Sequence, residues 1–206
     1  LQPHSPAEPI RRTVVKSMIH DSFTSLLNNN QDELAMDVIQ RDDDVDRLNL
    51  LISRQFTEIL RTGSVKQETQ NPIHAFNYMQ AASNLERIAD HAHRIAQIAR
   101  EYNCTLADDL KEELMDMEVQ LCGFIDDAIS YLLQTNSDKA NEMIDLIREI
   151  QKSAARITVT SDSLGKSEML ERLVLAASLE RMFDYIMNIG ELTINLSHST
   201  KQAEKG

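Results

Sequence analysis

Residues 85–96 read LERIADHAHRIA, and residues 179–190 read LERMFDYIMNIG. At an offset of 94 residues the two stretches share Leu, Glu, Arg, Asp and Ile, and their common core is L-E-R-x-x-D. Residues 35–46 and residues 140–151 show a second, weaker similarity. Because the main match falls on the third predicted helix of each half, the sequence indicates two related units of about 100 residues each.

The chain is predicted to be helical. Breakers are sparse, with 5 Gly and 4 Pro in 206 residues, and three of the prolines lie within the first nine residues. The segments between breakers are rich in helix-favouring residues such as Leu, Ala, Met, Glu and Arg. They predict six helices, at 10–28, 32–61, 72–102, 106–134, 138–157 and 167–201, with Ser137 or Asp138 as the N-cap of the fifth.

Long helices joined by short links form antiparallel bundles. The expected fold is therefore all-α, with two tandem antiparallel three-helix bundles. Residues 1–9 are expected to be an extended tail or linker, residues 10–104 the first three-helix repeat, and residues 105–206 the second.

Composition narrows the class of protein. There are 21 Lys and Arg against 33 Asp and Glu, a net charge of −12, so the chain should repel nucleic acid and anionic lipid. The sequence contains no run of about 18 apolar residues, so no transmembrane helix is predicted. No signal peptide is visible. Two cysteines without a CxxC pair are typical of reduced thiols, so a cytoplasmic location is expected. The first residue is Leu, which leaves an upstream domain open.

The third and sixth predicted helices each place a glutamate in a row of small or apolar residues. Glu86 lies in the row from Ala75 to Ala96, and Glu180 in the row from Met169 to Ile194, every step being three or four residues. Asp90 and Asp184 follow one turn later. A carboxylate at a helix interface requires a partner, because desolvating an unpaired charge costs several kcal/mol.

The second predicted helix offers more carboxylates. Asp42 and Asp46 are four residues apart and share a face. If the second and third helices are antiparallel neighbours, these two face Glu86 and Asp90. Four carboxylates across one interface would suit hard or borderline cations.

Structural interpretations of the same residues stay open. Asp90 could pair with Arg94 one turn later, Glu86 and Glu180 could meet arginines on neighbouring helices, and the acidic pair of the second helix could be a solvated face. His93 could be an outer ligand or an interface histidine.

Enzymatic motifs are missing from the sequence. There is no P-loop, GxGxxG, GxSxG or HExxH. The Glu-x-x-His pair of ferritin-like proteins is also missing, and Asp90-x-x-His93 comes nearest to it. We predict no catalytic residue and a protein that is not an enzyme.

At this point the residues resemble a known family. LERIADHAHRIA is similar to the signature of PhoU proteins, the phosphate-uptake regulators, in which such a run recurs in both halves. QRDDDVDRLN at 40–49 resembles the acidic motif on the preceding helix of that family. The six-helix layout covers the chain from about residue 10.

The resemblance implies a cytoplasmic, often homodimeric, negative regulator of phosphate uptake. Its implied partners are the ATPase of a phosphate ABC transporter and a phosphate-sensing histidine kinase, with membrane contact only through a transporter and no nucleic acid bound by this segment. It also implies metal ions in multinuclear clusters, with iron expected first and zinc or manganese as alternatives. The metal ligands carried over are Asp42, Asp46, Glu86, Asp90, Glu180 and Asp184.

The second half departs from the family pattern at one acidic pair, which weakens the prediction of a metal site there. The fifth helix has Ile147 and Gln151 where the second has Asp42 and Asp46. Three rival functions stay open: an accessory domain of another ion transporter or channel, a carboxylate-bridged di-iron enzyme, and the C-terminal part of a phosphate-responsive transcription regulator.

Overall fold

The computed structural model describes residues 7–28, 32–62, 72–101, 106, 108–154 and 166–203. These residues form six α-helices and no β-strand, so the predicted all-α class is confirmed. The helices are α1 (Ala7–Leu27), α2 (Asp32–Thr62), α3 (Pro72–Glu101), α4 (Asp108–Gln134), α5 (Ser137–Ala154) and α6 (Lys166–Ala203).

The start of α1 corrects one prediction. The helix begins at Ala7, so the extended tail expected for residues 1–9 is wrong for residues 7–9. Pro9 lies in the first turn, where backbone N–H groups have no helical acceptor, and a proline there costs the helix no hydrogen bond. Residues 1–6 lie outside the described residues.

The link between α4 and α5 is a tight turn. Thr135 has a φ of 53°, in the left-handed region, and the Asn136 amide donates to the Tyr131 carbonyl at 2.9 Å. This pattern closes the end of α4. The Asn136 Oδ1 atom then accepts the Lys139 amide at 3.1 Å. The N-cap of α5 is therefore Asn136, and the expectation of Ser137 or Asp138 is wrong.

The helices pack as two sets of three. Helices α1, α2 and α3 contact one another, as do α4, α5 and α6, and α3 packs on α6 and α1 on α4 across the sets. One continuous cluster of buried apolar side chains includes residues of both sets. The predicted boundary between the repeats, at residues 104 and 105, lies outside the described residues.

Two glycines give a matched test of this packing. A Cβ atom on Gly190 in α6 would lie 3.0 Å from Ile144 Cδ1 and 3.1 Å from Met143 Cε, whereas a Cβ on Gly123 in α4 would meet no atom within 4 Å. Alanine favours a helix over glycine by about 1 kcal/mol. We expect Gly123→Ala to raise the free energy of unfolding by about 1 kcal/mol. Gly190→Ala should lower it, because overpacking costs about 1–3 kcal/mol. Urea unfolding of both variants measures this, and equal stabilisation would show that α5 yields freely.

Candidate metal centre

The centre lies between α2 and α3, which are antiparallel neighbours as expected. Arg100 Nε donates to Asp32 Oδ1 at 2.6 Å, while Ser83 lies opposite Asn49 further along the pair. Val38 and Val45 are buried on α2 and fix which of its faces is turned to the core. Asp42 and Asp46 lie on the side of α2 that faces α3.

Three of the predicted ligands meet at this interface. Asp46, Glu86 and Asp90 each place one carboxylate oxygen so that all three atoms lie within 4.8 Å of one another. Asp46 is exposed and the other two are half-buried, so the cluster opens to solvent. In the described part of the chain this is the one such group of three ligands.

Asp90 shows the electrostatic consequence of this crowding. Its pKa is raised above the ordinary value for an aspartate, first by burial and then by the negative charge of Asp42. Asp46 raises the pKa further, whereas Arg87 and His93 lower it. The raised pKa means that burial and the neighbouring carboxylates disfavour the ionised form of Asp90.

Asp42 lies beside the group of three and has a different environment. His93 Nδ1 and Asp42 Oδ2 are 2.6 Å apart. His93 is therefore an interface histidine whose ring is hydrogen-bonded to a carboxylate. The other oxygen, Asp42 Oδ1, is buried, and no hydrogen-bond donor among the described residues reaches it. An unsatisfied buried oxygen beside three carboxylates fits a site that binds a cation.

Arginine contacts within the cluster differ from the expected pairing. Asp90 is approached by Arg87, at 3.8 Å, and not by Arg94. The same Arg87 lies 3.6 Å from Glu86. Both distances exceed that of a good hydrogen bond, and Arg87 is 60 % exposed, so this pairing neutralises the carboxylates only weakly.

The chemistry of these ligands suits a divalent cation. Carboxylate oxygens bind magnesium, calcium and manganese, and they also bind iron and zinc. Asp46, Glu86 and Asp90 could hold an ion directly, and Asp42, whose charge acts on Asp90, could supply a further oxygen. The assignment of these four residues as metal ligands stays a prediction.

The equivalent position in the second half is built differently. Gln151 Nε2 donates to Asp184 Oδ1 at 2.9 Å, and Arg181 lies 3.5 Å from the other oxygen of that carboxylate. Glu180 is exposed, so it does not point into a helix interface as expected. No group of three ligands in the described residues includes Glu180 or Asp184. Gln151 aligns with Asp46 and Asp184 with Asp90, so an amide donor replaces a carboxylate here.

A comparison with known protein families finds a match in the first half of the chain. The family model of the PhoU domain matches residues 12–99, which include the α2–α3 cluster. Residues 12–99 are a PhoU domain. The resemblance predicted from sequence is therefore confirmed.

Relatives and solved structures extend the likeness to PhoU over nearly the whole chain. The "Phosphate-specific transport system accessory protein PhoU homolog" of Clostridium acetobutylicum is 24 % identical over 193 residues, covering 89 % of this chain and 86 % of that protein. The crystal structure of PhoU from Pseudomonas aeruginosa has a TM-score of 0.76 at 22 % identity and covers 93 % of both chains. The phosphate transport system regulatory protein PhoU from Streptococcus pneumoniae has a TM-score of 0.72 at 20 % identity and covers 92 % of both chains. These structures establish a shared fold. None of the helices described here is long and apolar enough to cross a membrane.

Proposed function

We propose that this chain is an accessory regulator of phosphate transport whose α2–α3 interface binds a metal ion. The observation that carries the proposal is the group formed by Asp46, Glu86 and Asp90, which lies inside the residues matched by the PhoU domain. The relatives from Clostridium acetobutylicum and Streptococcus pneumoniae are an accessory protein and a regulatory protein of phosphate transport systems. The protein would act by binding and not by turnover.

The metal ion would cross-link α2 to α3 and neutralise the acidic cluster. Bound metal stabilises the conformation that presents its ligands together, and so it would fix the surface that this helix pair shows to a partner. Iron is the first metal to test, followed by zinc and manganese. We propose Glu180 and Asp184 only as a second and weaker metal-binding position. It is weaker because Gln151 donates a hydrogen bond to the carboxylate of Asp184.

The partners proposed are proteins of the phosphate system. They are the ATPase of a phosphate ABC transporter and a phosphate-sensing histidine kinase, contacted in the cytoplasm by a homodimer of this chain. Because the chain carries a net charge of −12, direct attachment to nucleic acid or anionic lipid is disfavoured.

The function can be tested in the organism that encodes the chain. When phosphate is abundant, we expect a deletion strain to take up radiolabelled phosphate faster than the parent strain. The wild-type gene should restore the lower uptake rate of the parent. Asp46→Asn with Glu86→Gln should fail to restore it, because the ligands are lost. Asp43→Asn, an exposed aspartate on the same helix, is the matched control and should restore it. Uptake that is identical in the deletion and parent strains would contradict the proposal.

A further inference from the structure

Helices α2 and α3 extend beyond the helix that covers them. Arg41 of α2 donates a hydrogen bond to Ser17 of α1 at 2.8 Å. Because a short link joins α1 to α2, the two neighbours are antiparallel, and Ala7 at the start of α1 lies opposite about residue 51 of α2. Helix α2 continues from there to Thr62, about 15 Å further. The described part of α1 therefore leaves this end of α2, and the part of α3 beside it, uncovered.

The register of α2 and α3 shows which residues meet at this end. The ring of Phe56 on α2 meets that of Phe76 on α3 at a centroid distance of 5.8 Å. Leu60 follows Phe56 by one turn, and Ile73 precedes Phe76 by one turn, so these two aliphatic side chains lie at the same end of the pair. We name this end of the two helices the α2–α3 tip, which comprises residues 50–62 and 72–85.

The α2–α3 tip exposes large apolar side chains. Leu60 is 62 % exposed and Ile73 is 48 % exposed, and the contact between Phe56 and Phe76 joins the two helices into one surface. Five of the nine large apolar side chains that are exposed in the described residues belong to the tip, namely Leu50, Leu51, Leu60, Ile73 and Phe76. Single exposed apolar side chains are ordinary, whereas a group of them marks a site of interaction. The tip is therefore a surface that a partner would cover.

Charge distinguishes the α2–α3 tip from the rest of the molecule. Residues 72–85 contain no Asp, Glu, Lys or Arg, and residues 50–62 contain only Arg54, Glu58 and Arg61. Glu58 and Arg61 pair with each other at 2.8 Å. With two arginines against one glutamate, the tip has a formal charge of +1 in a chain of −12. Two copies of so acidic a chain repel each other, and the repulsion is smallest where the local charge is close to zero.

We propose that two copies of this chain associate through their α2–α3 tips, each tip packing against the other across a twofold axis. A twofold interface brings the same surface of both subunits together, and an apolar surface of nearly zero charge is complementary to itself. This inference rests on the proposed function, in which the chain acts as a homodimer, and it identifies the surface through which the homodimer forms. Asp46 precedes Phe56 by about 15 Å along α2, so the pairing leaves the proposed metal centre open.

The test is the molar mass of the full chain in solution, freed of metal with a chelator and measured by light scattering and sedimentation equilibrium. One chain has a mass of 23.4 kDa, and we expect twice that mass for the unmodified protein. Leu60→Glu and Ile73→Glu should each raise the dissociation constant of the dimer by about a hundredfold, because twofold symmetry places two unpaired charges in an apolar interface. Both side chains are exposed in the single chain, so its folding should not change.

Val119→Glu is the matched control for these two variants. Val119 is 69 % exposed on α4, outside the tip, and the substitution adds the same charge at another exposed apolar position. It controls for the extra repulsion between two more acidic chains and should keep the dimer. Circular dichroism and thermal unfolding of all three variants establish that the helices are retained.

Three results would overturn the proposal. They are a monomer at every protein concentration, a dimer that persists in both tip variants, and an equal loss of the dimer in Val119→Glu. The phosphate-uptake assay is independent of these measurements. A monomeric chain whose gene restores the lower uptake rate would contradict only the homodimer and its interface. Unchanged uptake after deletion, together with a dimer that the tip variants dissociate, would contradict the regulatory role and support the interface.

Discussion

Replacing Phe183 by alanine is expected to lower the free energy of unfolding by about 3–5 kcal/mol. Phe183 lies on α6 and is fully buried, and its ring meets Phe124 of α4 edge-on at a centroid distance of 6.4 Å. It stands at the position where the first repeat has Ala89. Its removal would open a cavity inside the core shared by both sets of helices.

Phe76 of α3 provides the matched control, because the same substitution there removes a ring that is 44 % exposed. That ring contacts Phe56 at 5.8 Å, and an aromatic pair contributes about 0.5–1.5 kcal/mol. Phe76→Ala should therefore cost about 1 kcal/mol. Urea unfolding followed by circular dichroism gives both values, and comparable losses in the two variants would contradict the assignment of Phe183 to the core.

The helices could be predicted from sequence because their boundaries depend on local chemistry. Sparse glycine and proline, and long runs of helix formers, placed every helix within three residues of its observed bounds. The repeat also predicted which helices correspond. The cap of α5 was missed because Asn136, Ser137 and Asp138 are all good N-caps, and the turn at Thr135 decides among them.

The expected burial of Glu180 at a helix interface was wrong for a geometric reason. Helix α2 packs mainly against α1 and α3, so its buried stripe is narrow and can be recognised from spacing. Helix α6 packs against α3, α4 and α5, and buries Leu175, Leu179, Met182 and Ile186 as well as Phe183. Apolar residues on three sides of a helix do not identify the edge at which a charged residue emerges.

The carboxylate cluster shows which contacts residue spacing can predict and which it cannot. Antiparallel pairing of α2 and α3 was enough to predict that Asp46 would meet Glu86 and Asp90. The contact between Asp42 and His93 depends on the register of the two helices, which a single sequence does not specify. The replacement of Asp46 by Gln151 in the second half was recognised from the alignment of the repeats, whereas the hydrogen bond from Gln151 to Asp184 was not predicted.

The combined variant Asp46→Asn with Glu86→Gln is expected to change stability in opposite directions with and without metal. In metal-free protein the variant should be more stable than wild type by about a few tenths of a kcal/mol, since like charges at close spacing repel. The pKa of Asp90 is raised first by burial and then by the charges of Asp42 and Asp46, and the effect of these two charges is the repulsion in question.

With metal present the order should reverse, because only the wild-type chain retains the ligands. Binding stabilises the folded state by about 2.7 kcal/mol when the free metal is at 100 times its Kd. Thermal unfolding with ferrous iron, zinc or manganese, each added separately, measures the difference between the two chains. Elemental analysis of protein purified without a chelating tag gives the metal bound per chain.

The control for this experiment is Asp43→Asn with Glu33→Gln, which changes net charge equally using exposed residues of α2. It should keep the metal content and the metal-dependent rise in Tm of the wild-type chain. If the Asp46 and Glu86 variant bound as much metal as this control, the ion would lie elsewhere. If no chain bound metal, the negative charge of the carboxylates would stay uncompensated in the functional protein. The cluster would then be an acidic docking surface for a partner. The reversal of sign is therefore decisive, since loss of general stability would lower Tm under both conditions.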